Sequence, residues 1–217
     1  MFSRFSAALF CLLASPFFCP EGIAAPKGGP NVHAERAVAN FTGVEVASGI
    51  HATVRFGMPQ RVTVTGPQAL IARVVTEVVD GRLSVKLPQK SVRNAAAVEV
   101  EIISPKTNYL SVRDGAEVRA AEIASEHFEL KLSRGSTVFM DGQVRALQLE
   151  VSSGATANLA NLTAATAKVK MDGQSHSQVK AKQEIAGSLS NGAELVVLGK
   201  PAVKDVHADT GAKVEYP

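Results

Sequence analysis

The chain is expected to be all-β, a single-stranded β-solenoid (β-helix) of about six coils of ~19–20 residues, with a β-rich N-terminal part containing one short helix. Three observations predict this. Glycines recur at Gly115, Gly135, Gly154, Gly173, Gly192 and Gly211, spaced by 20, 19, 19, 19 and 19 residues. Each follows a short alternating apolar run, such as Leu110 and Val112, Leu130 and Leu132, or Leu149 and Val151. A second short β run follows each glycine, as in Val118, Val138 and Leu195. A fixed period of this length means one supersecondary unit per repeat, and one unit cannot bury its own apolar face, so neighbours must stack. An antiparallel β-sandwich is the alternative, but hairpin loops have no reason to recur every nineteen residues.

The N-terminal two dozen residues read as a secretory signal. Arg4 supplies a sparse positive region, Ala7 to Ala14 an apolar stretch, and Gly22, Ala24 and Ala25 a small-residue cleavage zone. Residues 1–24 are therefore assigned as signal peptide, 25–36 as a linker containing Pro26, Gly28, Gly29 and Pro30, and 37–217 as the domain. The apolar stretch is short and interrupted by Pro16 and Pro20, which argues against a membrane anchor. Both cysteines, Cys11 and Cys19, fall inside the signal, so the mature chain is expected to carry no disulfide and no thiolate ligand. A periplasmic or secreted location follows, with no membrane span in the mature chain.

Val44, Val46, Ile50, Ala52 and Val54 alternate around Ser48–Gly49, and Val62 and Val64 continue the pattern, so both stretches read as strands. Pro67 to Val79 reads as the helix: Leu70, Val74, Val75 and Val78 recur at helical spacing, and Asp80–Gly81 ends the run. Leu83, Val85 and Leu87 alternate again, residues 88–94 read as a polar loop, and Val98, Val100 and Ile102 form the next strand.

Beyond that point Gly115, Gly135, Gly154, Gly173, Gly192 and Gly211, joined by Gly49 upstream, are read as turn glycines where the backbone needs positive φ or close approach. Val112, Leu132 and Val151 should form one inward ladder, and Val118, Val138, Leu195 and Val214 another. One repeat is out of step: in Val169, Met171 and Gly173 the apolar pair lies one residue closer to the glycine. A one-residue slip would turn the strand inside out, so a corner shortened by one residue is expected there. This alignment puts His176 at an inward position.

The pattern resembles a bacterial family named for the auto-transporter adhesin head GIN domain. The resemblance rests on the opening Phe41–Ile50, on Asp80, Gly81, Leu83 and Val85 after the helix, and on the serial corners Arg134–Thr137 and Ser153–Thr156. It implies a β-helical envelope protein and assigns no activity. No C-terminal barrel of alternating strands, as an autotransporter would carry, follows the last repeat.

The chemistry sought is mostly absent. Formal charge is +3, there is no Trp, and Tyr is limited to Tyr109 and Tyr216, so neither a nucleic-acid footprint nor an aromatic stacking strip is expected. His33, His51, His127, His176 and His207 do not stand at metal-ligand spacing, and no cofactor or metal is expected. No nucleophile elbow or phosphate loop occurs. If the residue before each glycine forms a column, Asp114, Arg134, Ser153, Asp172 and Asn191 make an outward ladder, the candidate binding surface. Polysaccharide-active β-helices place acids and a base on adjacent coils. Here Asp114 and Asp172 would lie three coils apart, about 14 Å, too far for paired-carboxylate glycoside chemistry. The reading is thus a non-catalytic module that binds an envelope protein or glycan. A structural protein that self-associates through its terminal coil is the alternative, and a polysaccharide-active enzyme the third.

Overall fold

Eight strands joined by short corners and loops stack in the second half of the chain: β8 (Tyr109–Arg113), β9 (Glu117–Ser133), β10 (Thr137–Val151), β11 (Thr156–Met171), β12 (His176–Leu189), β13 (Glu194–Leu198), β14 (Val203–Ala208) and β15 (Lys213–Glu215). The computed structural model describes residues 31–88, 95–209 and 211–217. The signal-peptide assignment, the first half of the linker (25–30) and all but the first residue of the polar loop read at 88–94 lie outside the described residues. The strands pair in parallel, β8 with β9, β9 with β10, β10 with β11 and β11 with β12, and β12 with both β13 and β14. The result is a β-solenoid of about five turns.

The inward ladders follow from period-two alternation. Val112, Leu132, Val151, Met171 and Leu189 are matched rung by rung, as are Val118, Val138 and Ala157, and all are buried. Each long strand bends where it passes to the next face; the bend in β9 holds Glu122 at φ 59 and that in β10 holds Gly142 at φ 126. At Gly142 a Cβ atom would lie 2.2 Å from the Ile123 carbonyl oxygen, so only glycine lets the two rungs close there.

The corners are built from two consecutive residues with positive φ: Asp114–Gly115, Arg134–Gly135, Ser153–Gly154 and Asn191–Gly192, and in the N-terminal part Ser48–Gly49. In the out-of-step repeat the pair is Gly173–Gln174. That corner is not shortened. Val151 pairs with Met171 and Thr156 with His176, so residues 152–155 and 172–175 span equal lengths. The glycine has moved to the first of the two positions, and Gln174 takes the second at φ 54. Backbone bonds confirm the alignment: the second residue donates to the carbonyl of the first on the next rung, Gly115 to Arg134, Gly135 to Ser153, Gly154 to Gly173 and Gln174 to Asn191, at 2.8–3.0 Å.

The N-terminal part joins the stack instead of lying beside it. Strands β2 (Gly43–Val46) and β3 (His51–Phe56) form a rung under β8 and the start of β9. Strands β6 (Arg82–Lys86) and β7 (Glu99–Ser104) form the rung beyond, parallel to β2 and β3. Chain order and stacking order therefore differ: the later rung is the outer one. Beyond it the pairing turns antiparallel, with β5 (Val75–Val79) on β6, β4 (Arg61–Pro67) on β7 and β1 (Asn31–Glu35) on β4. Strand β1 lies within the stretch read as linker.

The helix is shorter than its periodicity suggests. It covers Gln68–Ile71, and Val75–Val79 is a strand. Val74, Val75, Val78 and Val79 are β-branched and suit a pleated surface. Asp80 and Gly81, both at positive φ, make a tight hairpin turn that brings β5 back onto β6.

Candidate functional site

Two outward faces and the corner column between them carry the polar residues. In the corner column Asp114, Arg134, Ser153, Gly173 and Asn191 stack at the first positive-φ position. Asp172 does not belong to it. It occupies the preceding position, in register with Ser152 and Ser190. Spacing counted from the glycine misplaces it because here the glycine itself holds the first positive-φ position. Two local contacts result. Arg134 Nη1 donates to Asp114 Oδ1 at 3.0 Å. Asn191 Nδ2 and Ser190 Oγ donate to Asp172 Oδ1 at 2.5 and 2.9 Å. The Asn191 amide and the Ser190 hydroxyl hold the Asp172 carboxyl below the usual carboxylate range. Ser153 sits between Arg134 and Gly173 without bringing the two acids together, and Asp114 and Asp172 remain three rungs apart.

His176 points outward, contrary to the glycine-based alignment. It pairs with Thr156 and Glu194, and its Nε2 is 3.2 Å from Glu194 Oε2. Ser177 takes the inward place, buried beside Ala157 and Leu195. No cluster of three or more metal-ligating side chains occurs among the described residues, and none of their helices is long and apolar enough to cross a membrane.

A groove of about 860 Å³ that the sequence did not reveal runs across one outward face. It crosses seven strands, β6, β2, β8, β9, β10, β11 and β12, between two outward columns. One column runs Arg82, Gly43, Tyr109, Glu129, Gln148, Lys168 and Ala186; the other includes His127, Ala146, Thr166 and Glu184. At about 4.8 Å per rung the groove extends about 29 Å. Its floor is the backbone over Phe128, Leu147 and Ala167, whose side chains turn into the core.

One end of the groove is closed by a stacked pair. The Arg82 guanidinium lies 4.0 Å from the Tyr109 ring centroid, and the two residues reach each other across Gly43. A Cβ there would meet Arg82 Cγ at 2.9 Å and Tyr109 Cδ1 at 3.2 Å. Farther along, Lys131 Nζ contacts Glu129 at 2.8 Å and Glu150 at 3.8 Å, and the Glu129 carboxylate holds the lysine above its ordinary value. The groove thus alternates acids, bases and amides over small side chains. That arrangement can bind an extended polymer by hydrogen bonds and ion pairs.

No curated protein matches the chain. Its fold is shared with several solved structures. One, described as a putative adhesin from Bacteroides fragilis, superposes with a TM-score of 0.70 at 14% identity, covering 86% of this chain and 96% of that one. Putative adhesins from Parabacteroides merdae and Parabacteroides distasonis superpose with TM-scores of 0.52 at 13% and 14% identity, each covering 87% of this chain and 97% and 98% of their own. At such identity these likenesses concern the fold alone. The model of one family, described as "Putative auto-transporter adhesin, head GIN domain", matches residues 40–201, from just before β2 to the loop that precedes β14. The chain belongs to this head GIN domain family.

Proposed function

We propose that the protein is a non-catalytic extracytoplasmic binding module that holds an envelope protein or glycan along the long groove. The observation that carries this reading is the groove itself. It runs about 29 Å across seven strands of a rigid stack, lined by alternating charges and amides over small side chains. Solenoids present such extended surfaces because equivalent residues recur on every rung. The adhesin descriptions of the family and of the superposing structures support a binding role. The apolar N-terminal stretch supports export to the periplasm or beyond.

Capture of envelope components from the native host on the immobilised mature chain tests the reading. Ala186→Arg and Lys168→Glu, both on the solvent side of the ladder, should each lower the captured amount at least tenfold while thermal unfolding stays unchanged. Capture that is equal for all three proteins would refute the groove assignment.

Self-association is the second reading, and the other end of the stack favours it. Strand β14 pairs with β12 and β15 with β13, each along one edge, and Val203 at this end is half exposed. An open edge of backbone donors and acceptors can accept another strand. Sedimentation equilibrium with and without Val214→Glu tests it: a concentration-dependent dimer lost on substitution supports the reading, and a monomer throughout rejects it.

A further inference from the structure

A smaller cleft of about 390 Å³ lies on the other outward face, where β3, β9, β10 and β11 run side by side. Its distinctive member is Phe139. Apolar residues of this size are inward on nearly every rung, yet Phe139 stands outward with 39% of its surface exposed. It occupies a column with Thr53, Arg119, Asn158 and Gln178, all polar, and is the one large aromatic in it; Val196 follows on the next rung. Nothing in the core requires an aromatic ring there, since Val138 and Met140 on either side supply the inward contacts of that rung.

The ring is held in place and flanked by directional polar groups. The Arg119 guanidinium lies 5.3 Å from its centroid and is itself fixed by two bonds to Glu117 Oε1, at 3.3 and 3.1 Å. Asn158 is its register partner on the next rung. Asp141 and Asn161, also paired in register, line the same cleft. The Glu122 backbone N–H donates to Asp141 Oδ1 at 2.8 Å and fixes that carboxylate, which leaves its other oxygen to accept from a ligand. Ala120 and Ala121 keep the floor low.

A flat apolar ring beside a carboxylate and two amides matches one chemistry in particular. A pyranose has an apolar face of C–H bonds and a rim of hydroxyls that donate to carboxylates and exchange hydrogen bonds with amides. The volume is in the range that encloses a small ligand. Two cations, Arg55 and Arg119, line the cleft with Asp141, and Arg119 is paired with Glu117, so the charges offset one another and leave no net positive site for an acidic sugar.

We infer that this cleft is a subsite for a neutral pyranose residue of a glycan, with Phe139 as the stacking platform and Asp141, Asn158 and Asn161 as the hydroxyl ligands. The inference rests on the binding reading above but concerns a separate surface, so each can fail alone.

The test uses the full mature chain and named probes: neutral hexasaccharides of glucose, mannose and galactose, with a hexagalacturonate as the acidic control. Saturation-transfer NMR, irradiating aromatic protons, should transfer to the C–H protons of at least one neutral probe. Calorimetry should give a dissociation constant that rises at least tenfold in Phe139→Ala and Asn161→Ala and stays within threefold in Phe139→Tyr. Ala186→Arg in the long groove should leave it unchanged. Because Phe139 and Asn161 lie on the outer surface, the variants should keep the wild-type melting temperature. No binding of any neutral probe at millimolar concentration, a preference for hexagalacturonate, or wild-type affinity in Phe139→Ala would each overturn the inference. Host-component capture through the groove could survive any of these results.

Discussion

Two glycines in the same rung should respond very differently to a single methyl group. Gly135 sits at a corner with φ +68, and a Cβ there would meet nothing within 4 Å. Alanine at this site has only the left-handed backbone to contend with, which costs about 1–2 kcal/mol for an L residue. Gly142 has φ +126, and its Cβ would lie 2.2 Å from the oxygen, 2.6 Å from the nitrogen and 2.9 Å from the carbonyl carbon of Ile123. Ordinary contact begins near 3.4 Å, so the rungs would have to part by about 1 Å at a point fixed by ladder bonds. Overpacking of this kind costs about 1–3 kcal/mol, and the backbone strain about 1–3 kcal/mol more. Gly142→Ala should therefore destabilise by about 2–6 kcal/mol in total, roughly double or more the effect of Gly135→Ala. Urea unfolding followed by far-UV circular dichroism measures both against wild type, with the midpoint converted at a common slope. If Gly142→Ala proves no worse than Gly135→Ala, close approach of rungs is not what that glycine provides, and the bend has another cause.

Other outcomes follow from the same geometry. Phe128→Ala empties one of the largest buried side chains, stacked on Leu147, and should lower the urea-unfolding free energy by about 3–5 kcal/mol. Gln174→Gly restores to the odd corner the residue that every other corner carries at its second position; stability should rise by about 0.5–1 kcal/mol in a thermal scan, since an L side chain leaves the left-handed region. Asn191→Ala removes the stronger of two donors to Asp172, and the carboxyl should titrate closer to its ordinary range in a ¹³C NMR titration. The sign of the stability effect is fixed: a depressed carboxylate stabilises the fold above the ordinary carboxylate range and loses that contribution as pH falls through its folded value, so Asn191→Ala should weaken this acid-side loss.

The period-two pattern and the glycine corners made the ladder legible in advance. Val112, Leu132 and Val151 needed only alternation, and the corners only a recurring residue able to take positive φ. What alignment on glycine could not show is that the fold fixes the length of the corner and its two left-handed residues, while the glycine may occupy either place. Gly173 and Gln174 exchange roles, which is why Asp172 moved one column and His176 turned to solvent. The helix is shorter than its spacing predicts for a related reason. Leu70, Val74, Val75 and Val78 satisfy helical spacing, but spacing does not register that three of the four are β-branched, nor that Asp80 and Gly81 can close a hairpin.

The surfaces that matter most were hidden because they depend on stacking order, which the chain does not follow. Arg82 and Tyr109 meet across Gly43 because β6, which comes after β2 in sequence, packs outside it. No local pattern announces that inversion. The inversion also settles how the two ends of the stack differ. The N-terminal end finishes in antiparallel strands, with β1 and its neighbours covering the outer rung, the usual remedy for an exposed parallel edge. The other end lacks such a turn within β14 and β15. A stack covered at one end and regular at the other leaves its long outward faces, where Glu129, Gln148 and Lys168 stand on successive rungs, as the surface on which the proposed binding depends.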